Sequence, residues 1–153
     1  MIVADTGAIL ALIDADDRHH DEFLALYEDD PGSWVLPWAI LAEVDYLLLT
    51  HAGADAERAF VKDLATGGFA VEWGDEADLA RARELCDRYR ALRLGLVDGV
   101  VVAVAERLRA DAIATVDLRH LGAIEINGAP RLLPRDRGGV PPRSAHRRQK
   151  GAR

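Results

Sequence analysis

Apolar residues fall into two kinds of run along this chain, short unbroken runs and longer runs with helical spacing. The first short run, residues 1–4, leads directly to Asp5, Thr6 and Gly7. A short apolar run that is closed by glycine predicts a buried strand, so Asp5 is expected at the end of that strand. The same pattern predicts five strands, at residues 1–4, 34–36, 69–73, 112–115 and 124–126.

The longer runs carry apolar residues at every third or fourth position, which is the spacing of an amphipathic helix. Residues 75–91 are the clearest case, because Leu79, Ala82 and Leu85 share one face and arginines line the other side. Strands that alternate with helices predict an α/β domain with a central parallel sheet of four to five short strands. Helices are predicted at residues 8–13, 17–29, 37–49, 54–66, 75–91 and 98–109.

Charge divides the chain into an acidic body and a basic end. Half of the 153 residues are apolar, so one domain over residues 1–134 can bury a hydrophobic core. Residues 135–153 are rich in Pro, Gly and Arg and are predicted to be a disordered tail. Residues 131–153 carry a net charge of +7, which leaves −14 on residues 1–130. A nucleic acid would therefore bind the body only with help from a metal ion, local arginines or the basic tail.

Cysteine content and hydropathy narrow the cellular context. The single cysteine, Cys86, excludes a disulfide framework and a cysteine-based zinc site. The Met1 end lacks the basic segment of a signal peptide, and no apolar run approaches the length of a membrane span. We therefore expect a cytoplasmic protein that has no contact with a membrane.

Four carboxylates occupy unusual positions in this pattern. Asp5 and Asp117 end predicted strands, and Asp98 opens a predicted helix, whereas Glu43 interrupts the apolar face of helix 37–49. The ends of parallel strands and the starts of the following helices share one edge of a sheet, so the three aspartates are expected to lie close together. Two structural interpretations stay open, because Asp98 suits a helix N-cap and Glu43 suits a salt bridge or the border of the apolar face.

Clustered carboxylates repel one another by roughly 4 kcal/mol per close pair at a moderate effective dielectric constant. A hard divalent cation relieves that repulsion, and Mg²⁺ in proteins binds a few carboxylates and keeps several waters. Such waters can attack a phosphodiester while the cation stabilises the charge on the phosphate. Carboxylate ligands alone do not separate Mg²⁺ from Mn²⁺.

Four short segments carry these acids and their neighbours. They are residues 3–8 (VADTGA), 40–44 (ILAEV), 96–108 (LVDGVVVAVAERL) and 112–117 (AIATVD). Together they resemble the PIN-domain family, and most closely the VapC toxins of bacterial toxin–antitoxin pairs. The resemblance covers about residues 1–130 in the family's order and spacing. Each segment has little specificity alone, and the four together are highly specific.

The resemblance implies a PIN-like fold and the activity of a divalent-metal-dependent endoribonuclease. Such a protein is the toxin of a VapBC-type pair, so the implied partners are an RNA substrate and a cognate VapB-type antitoxin that covers the acidic pocket. Similar toxins commonly form homodimers. The implied cofactor is Mg²⁺, with Mn²⁺ as the alternative.

The resemblance also implies roles for particular residues. The family's acidic quartet corresponds to Asp5, Glu43, Asp98 and Asp117. Asp5 and Asp98 are expected to bind the metal directly, and the other two acids complete the pocket directly or through water. Thr6 and Thr115 correspond to the family's hydroxyl residues, which orient Asp5 or a metal-bound water. No histidine falls at a matching position, so the acids are expected to set the position of the metal rather than to act as acid and base.

Other protein classes share parts of the pattern. Residues 3–8 are similar to the Asp-Thr-Gly loop of aspartic proteases, but the long predicted helices do not fit the mostly β fold of that class. A haloacid-dehalogenase-type phosphatase needs a second Asp where this chain has Gly7. A PIN-fold binding protein without activity stays open as the alternative function. The complete quartet argues against it, and metal binding discriminates between the two.

Two features depart from the resemblance. Gly99 follows Asp98 at a position where a better helix former is expected. The basic tail is also longer than the family pattern explains. The tail could hold RNA, contact the antitoxin or keep the protein in solution.

Overall fold

A five-stranded sheet forms the centre of the computed structural model, which describes residues 1–138. The strands are β1 (Ile2–Ala4), β2 (Trp34–Pro37), β3 (Ala70–Glu72), β4 (Ala112–Ala114) and β5 (Arg131–Leu133). All neighbouring pairs are parallel, and the order across the sheet is β3-β2-β1-β4-β5. The central strand is therefore β1, whose Ile2 is in register with both Trp34 and Ala112. The predicted parallel α/β architecture is confirmed.

Helices flank this sheet and bury its central strands. The helices are α1 (Thr6–Ile13), α2 (His20–Asp29), α3 (Trp38–Leu47), α4 (Ala54–Thr66), α5 (Glu76–Arg88) and α6 (Leu96–Leu108). Val3 and Ala4 of β1 and Ile113 and Ala114 of β4 have no exposed surface. Such unbroken apolar strands are typical of parallel sheets that are covered on both faces.

The crossing of α5 and α6 explains the unexpected glycine. Residues 99–105 of α6 are buried, and Gly99 faces Ala82 of α5. A Cβ atom at position 99 would lie 3.0 Å from the Cβ of Ala82, which is closer than an ordinary contact. Close packing of the two helices therefore requires glycine here. The packing offsets the low helix propensity of glycine, which costs up to about 1 kcal/mol. The close crossing holds the start of α6, and with it Asp98, against α5.

The predicted fifth strand is wrong. Residues 124–126 form no strand, and β5 lies seven residues later, where Arg131 is in register with Ala112. Ile124 and Ile126 alternate with Glu125 as in a half-exposed strand, but they pack on the core from an irregular segment. The true edge strand has two consecutive buried residues, Leu132 and Leu133, because both of its faces are covered.

Two further points concern the chain ends and the membrane. Residues 134–138 form a turn after β5, and residues 139–153 of the predicted tail lie outside the described residues. Among residues 1–138, no helix has the length and apolar character that are needed to cross a membrane.

Candidate active site

Asp5 lies at the carboxyl end of the central strand and caps the N-terminus of α1. Its Oδ1 atom accepts a hydrogen bond of 2.7 Å from the backbone N–H of Ala8. A Cβ atom on Gly7 would collide with Cγ2 of Val116, which follows β4. Glycine at this position therefore allows the turn after β1 to pack directly against the loop that carries Asp117.

The carboxyl group of Asp5 resists ionisation. Burial raises its pKa from 3.8 to about 6, and the charges of Asp98 and Asp117 act in the same direction. Hydrogen bonds from Thr115 and from the backbone of Ala8 oppose this effect without cancelling it. The salt bridges within residues 1–138 do not include Asp5 or Asp98. Asp5 is thus held among negative charges without a cation of its own.

Asp98 is the third residue of α6, two residues later in the helix than predicted. It is not the N-cap, although its Oδ2 accepts a hydrogen bond of 3.2 Å from the backbone N–H of Gly95, which is the N-cap. Burial raises the pKa of Asp98, and the charges of Asp117 and Glu43 raise it further, against the lowering effects of Gly95 and His120. The start of α6 therefore faces the same edge as the end of β1.

The spacing of Glu43 had suggested that it interrupts a buried helix face, and the structure shows that it does not. Ile40 and Val44 of α3 are fully buried, whereas Glu43 is exposed. The Thr6 hydroxyl donates a short hydrogen bond to Glu43 Oε2, which joins the start of α1 to α3. Glu43 thus lies on the solvent side of the acidic edge, within electrostatic reach of Asp98.

Thr115 connects the ends of the two central strands. It is fully buried, and its Oγ1 accepts a hydrogen bond of 2.8 Å from the backbone N–H of Asp117. The same hydroxyl lowers the pKa of the Asp5 carboxyl against the effect of burial. Thr115 therefore holds the backbone of Asp117 and favours the ionised form of Asp5.

His120 is a neighbour of the site that was not identified from the sequence. Its Nδ1 lies 2.6 Å from Asp117 Oδ2, and its backbone N–H donates a bond of 3.0 Å to Oδ1. Burial acts to raise the pKa of Asp117, but these bonds, the charge of His120 and a bond from the Arg119 backbone outweigh it and lower the pKa. The spacing of three residues between Asp117 and His120 can be found in the sequence, but only the turn after β4 shows that their side chains are in contact.

The whole arrangement corresponds to a known family. The PIN domain family matches residues 2–124. The chain belongs to the PIN domain family. Among curated relatives, ribonuclease VapC26 of Mycobacterium tuberculosis is 32% identical over 131 residues, which are 86% of this chain and 97% of the relative. The resemblance to the PIN family and to its VapC proteins is confirmed.

Solved PIN-like structures share the fold. The crystal structure of Mycobacterium tuberculosis VapC20, a Sarcin-Ricin loop cleaving toxin, matches with a TM-score of 0.71 and 23% identity, over 82% of this chain and 98% of that one. The crystal structure of FitAcB from Neisseria gonorrhoeae matches with a TM-score of 0.59 and 16% identity, over 86% and 96% of the two chains. At such identities the likeness establishes the PIN-like fold.

The donor chemistry of this PIN domain fits a hard divalent cation. Carboxylates and hydroxyls are oxygen donors, and a nearby cation would favour the ionised forms of Asp5 and Asp98. Within residues 1–138 no three His, Cys, Asp or Glu side chains are already gathered as a metal-binding group. Each of the four acids accepts a hydrogen bond from the protein instead. This arrangement suits Mg²⁺, which takes one or two carboxylates and keeps its remaining waters.

Proposed function

We propose that this chain is a divalent-metal-dependent endoribonuclease and the toxin of a VapBC-type toxin–antitoxin pair. The observation that carries the proposal is the position of three acids at one edge of the sheet: Asp5 follows β1, Asp98 lies in the first turn of α6 and Asp117 follows β4. The raised pKa values of Asp5 and Asp98 support it. Acids that are buried among like charges destabilise a fold, and such arrangements are concentrated at functional sites. An oxygen-rich acidic edge calls for a cation, and phosphodiester hydrolysis uses one.

In this proposal Asp5 and Asp98 bind the cation directly. An ionised carboxylate has about four lone-pair sites, so its remaining capacity depends on the hydrogen bonds that it already accepts. Asp98 accepts one bond, from Gly95, whereas Asp117 accepts bonds from the backbone of Arg119 and from both the backbone and the ring of His120. Asp117 therefore acts through water or through its charge.

The remaining residues orient the acids. Thr115 holds the backbone of Asp117 and favours the ionised form of Asp5, and Thr6 holds Glu43 at the solvent side of the edge. When bound, Mg²⁺ or Mn²⁺ supplies a nucleophilic water and stabilises the negative charge that develops on the phosphate. The protein residues then place the scissile phosphate by keeping the acids in a fixed geometry.

RNA, a VapB-type antitoxin and a second copy of this chain are the partners that we propose. The relative VapC26 is named a ribonuclease, and the similar structure of VapC20 is that of a toxin. An antitoxin segment that supplies positive charge would complement the acidic edge. We propose that it acts on this RNA in the cytoplasm.

The experiment that tests the proposal is cleavage of total cellular RNA by the purified full-length protein. The reaction is run with Mg²⁺, with Mn²⁺ and with EDTA, alongside the Asp98→Asn variant. We expect metal-dependent cuts that EDTA abolishes and that Asp98→Asn reduces at least about 100-fold. Loss of a residue that only hydrogen-bonds to a metal ligand lowers activity about 10–100-fold, and loss of a direct ligand should lower it more. Mapping the cut ends then identifies the RNA target.

The controls separate the possible causes of a negative result. Circular dichroism tests whether Asp98→Asn is folded, and calorimetric titration with Mn²⁺ reports metal binding without RNA. Full activity of Asp98→Asn would contradict the assignment of this residue. A folded wild-type chain that neither cleaves RNA nor binds Mn²⁺ would favour the alternative, a PIN-fold binding protein that acts through partners.

A further inference from the structure

We infer that His120 is a positioning residue that fixes the Asp117 carboxylate for its part in the proposed metal site. The inference rests on the proposed nuclease function and extends it to a residue outside the acidic quartet. Its basis is the direct contact between the two side chains at the edge where the acids meet.

The contact holds the carboxylate at two points. The ring Nδ1 lies 2.6 Å from Oδ2, and the backbone N–H of His120 donates a bond of 3.0 Å to Oδ1. An ionised carboxylate only accepts hydrogen bonds, so the proton of this bond is on Nδ1. Short bonds of this kind to a charged acceptor are stronger than neutral ones and fix the plane of the carboxylate.

Asp117 needs such a partner because of its position in the fold. Asp5 and Asp98 are held at helix starts, where backbone N–H groups of Ala8 and Gly95 orient them. Asp117 lies in the loop after β4, where the backbone N–H groups of Arg119 and His120 hold only its Oδ1. Functional side chains on loops depend on second contacts for their precision, so Oδ2 depends on the His120 ring. Thr115 fixes the main chain of Asp117, and the His120 ring fixes its side chain.

The contact also faces the rest of the site. The charges of both Asp117 and His120 act on Asp98, so the pair borders the acids that we propose as direct ligands. Partners that hydrogen-bond to metal-ligating or neighbouring carboxylates tune metal affinity by orienting them. A change at His120 should therefore alter metal binding without any change in the quartet.

A histidine and an acid at this spacing do not by themselves form a functional site. The chain contains a second such pair, which serves as a control for His120 and Asp117. His19 and Glu22 on α2 are also three residues apart, with Nδ1 3.5 Å from Oε2. The His19 side chain is 31% exposed and that of Glu22 is 59% exposed, and neither residue is among those that shift the pKa of Asp5, Asp98 or Asp117. His19→Ala is therefore the control for the loss of an imidazole–carboxylate pair away from the site.

The test compares three variants of the full chain. In His120→Asn the side-chain amide nitrogen takes the place of Nδ1, whereas in His120→Gln it reaches the place of Nε2, and His120→Ala removes both. We measure Mn²⁺ affinity by calorimetric titration without RNA, and then kcat and KM for RNA cleavage. We expect His120→Ala and His120→Gln to weaken Mn²⁺ binding about 10–100-fold and to lower kcat, with KM unchanged.

His120→Asn should stay within about threefold of the wild type, because it restores the donor to Asp117 Oδ2. His19→Ala should bind Mn²⁺ like the wild type. If circular dichroism shows that His120→Ala is unfolded, the comparison of His120→Asn with His120→Gln is enough to test the inference. Wild-type Mn²⁺ affinity in His120→Gln, or equal losses in the Asn and Gln variants, would overturn the inference. Absence of Mn²⁺ binding and of cleavage in the wild type would instead overturn the proposed function on which it rests.

Discussion

Two groups of acids on this molecule are in opposite situations, and α6 contributes to both. Near the start of α6, Asp98 faces Asp5 among other negative charges, and both carboxyl groups have raised pKa values. Near the end of α6, Glu106 and Arg107 join α5 in a network of ion pairs. We call these two groups the strand-end cluster and the interhelical network.

The interhelical network contains its own cations. Arg107 binds Asp78 in a bidentate pair at 2.8 and 2.9 Å, and Arg81 binds Glu106 at 2.8 and 3.1 Å. The Asp78 side chain is only 2% exposed, and burial acts to raise its pKa. Hydrogen bonds from Arg107 and from the backbone of Asp75, together with the charge of Arg107, outweigh burial and lower it. Burial alone therefore does not distinguish the two groups.

The difference shows how a structural acid can be told from a functional one. Desolvation disfavours the charged form in both groups, and for Asp78 the guanidinium of Arg107, together with the backbone bond from Asp75, reverses the result. The interhelical network is complete as folded. The strand-end cluster is not complete. An external cation would favour the ionised forms of Asp5 and Asp98, as Arg107 favours that of Asp78.

The largest expected effect comes from removing the cation of the interhelical network. Arg107→Ala leaves the buried Asp78 carboxylate without its cation, and breaking a buried pair in this way costs about 3–5 kcal/mol. The free energy of unfolding is measured by urea denaturation. Arg83→Ala is the matched control, because its pair with Asp87 at 3.7 Å is mostly exposed and contributes less than about 1 kcal/mol. Equal losses in the two variants would break the comparison.

The next effect supplies a cation to the strand-end cluster. A ligand that binds only the folded state adds about 2.7 kcal/mol of stability at 100 times its Kd. Mn²⁺ should therefore raise the Tm of the wild type relative to an EDTA-treated sample. Asp98→Asn should show much less of this stabilisation, because it lacks one proposed ligand. The same Tm with Mn²⁺ and with EDTA would show that the cluster does not receive a cation from solution.

A smaller effect of opposite sign to Arg107→Ala is expected when one charge is removed from the strand-end cluster. Asp5→Asn keeps an N-cap acceptor for Ala8 and removes a disfavoured charge. A pKa shift from 3.8 to about 6 corresponds to about 3 kcal/mol at neutral pH, and solvent access to part of the side chain reduces this to about 1–2 kcal/mol. Without metal, the variant should therefore be more stable than the wild type in urea denaturation. A loss of stability would contradict the view that Asp5 is a destabilising charge.

The smallest expected effect is the pH dependence of this stability difference, which follows from the titration of Asp5. Its folded pKa of about 6 lies above the unfolded value of 3.8, so the folded state keeps a proton that the unfolded state releases. The favourable contribution is complete below about pH 4 and is lost as the pH rises through 6. We expect the stability advantage of metal-free Asp5→Asn over the wild type to grow across this window and to be constant above about pH 7. An advantage that does not change with pH would assign it to packing rather than to charge.

Most of the fold could be predicted because its signals are local. Apolar spacing identified β1 to β4 and the helices, since burial on one face repeats every three or four residues in a helix. The fifth strand could not be predicted in this way. Ile124, Glu125 and Ile126 have the alternation of a strand, but β5 is defined by its pairing with β4 across a long separation in sequence.

The candidate site was predictable only in part. The positions of Asp5, Asp98 and Asp117 followed from strand ends and helix starts, which share one edge in any parallel sheet. The exposure of Glu43 and the contact of His120 with Asp117 did not follow, because they depend on the rotation of α3 and on the conformation of a loop.

The sequence by itself determined the fold class, the family and the edge at which the acids gather, since these depend on apolar periodicity and on the direction of parallel strands. Only the tertiary structure decided which acids have a cation. Asp78 and Asp98 are both aspartates near the start of amphipathic helices, and their patterns are alike. One meets Arg107 from the neighbouring helix and the other meets Asp117 and Glu43, because pKa depends on what folding brings close in space.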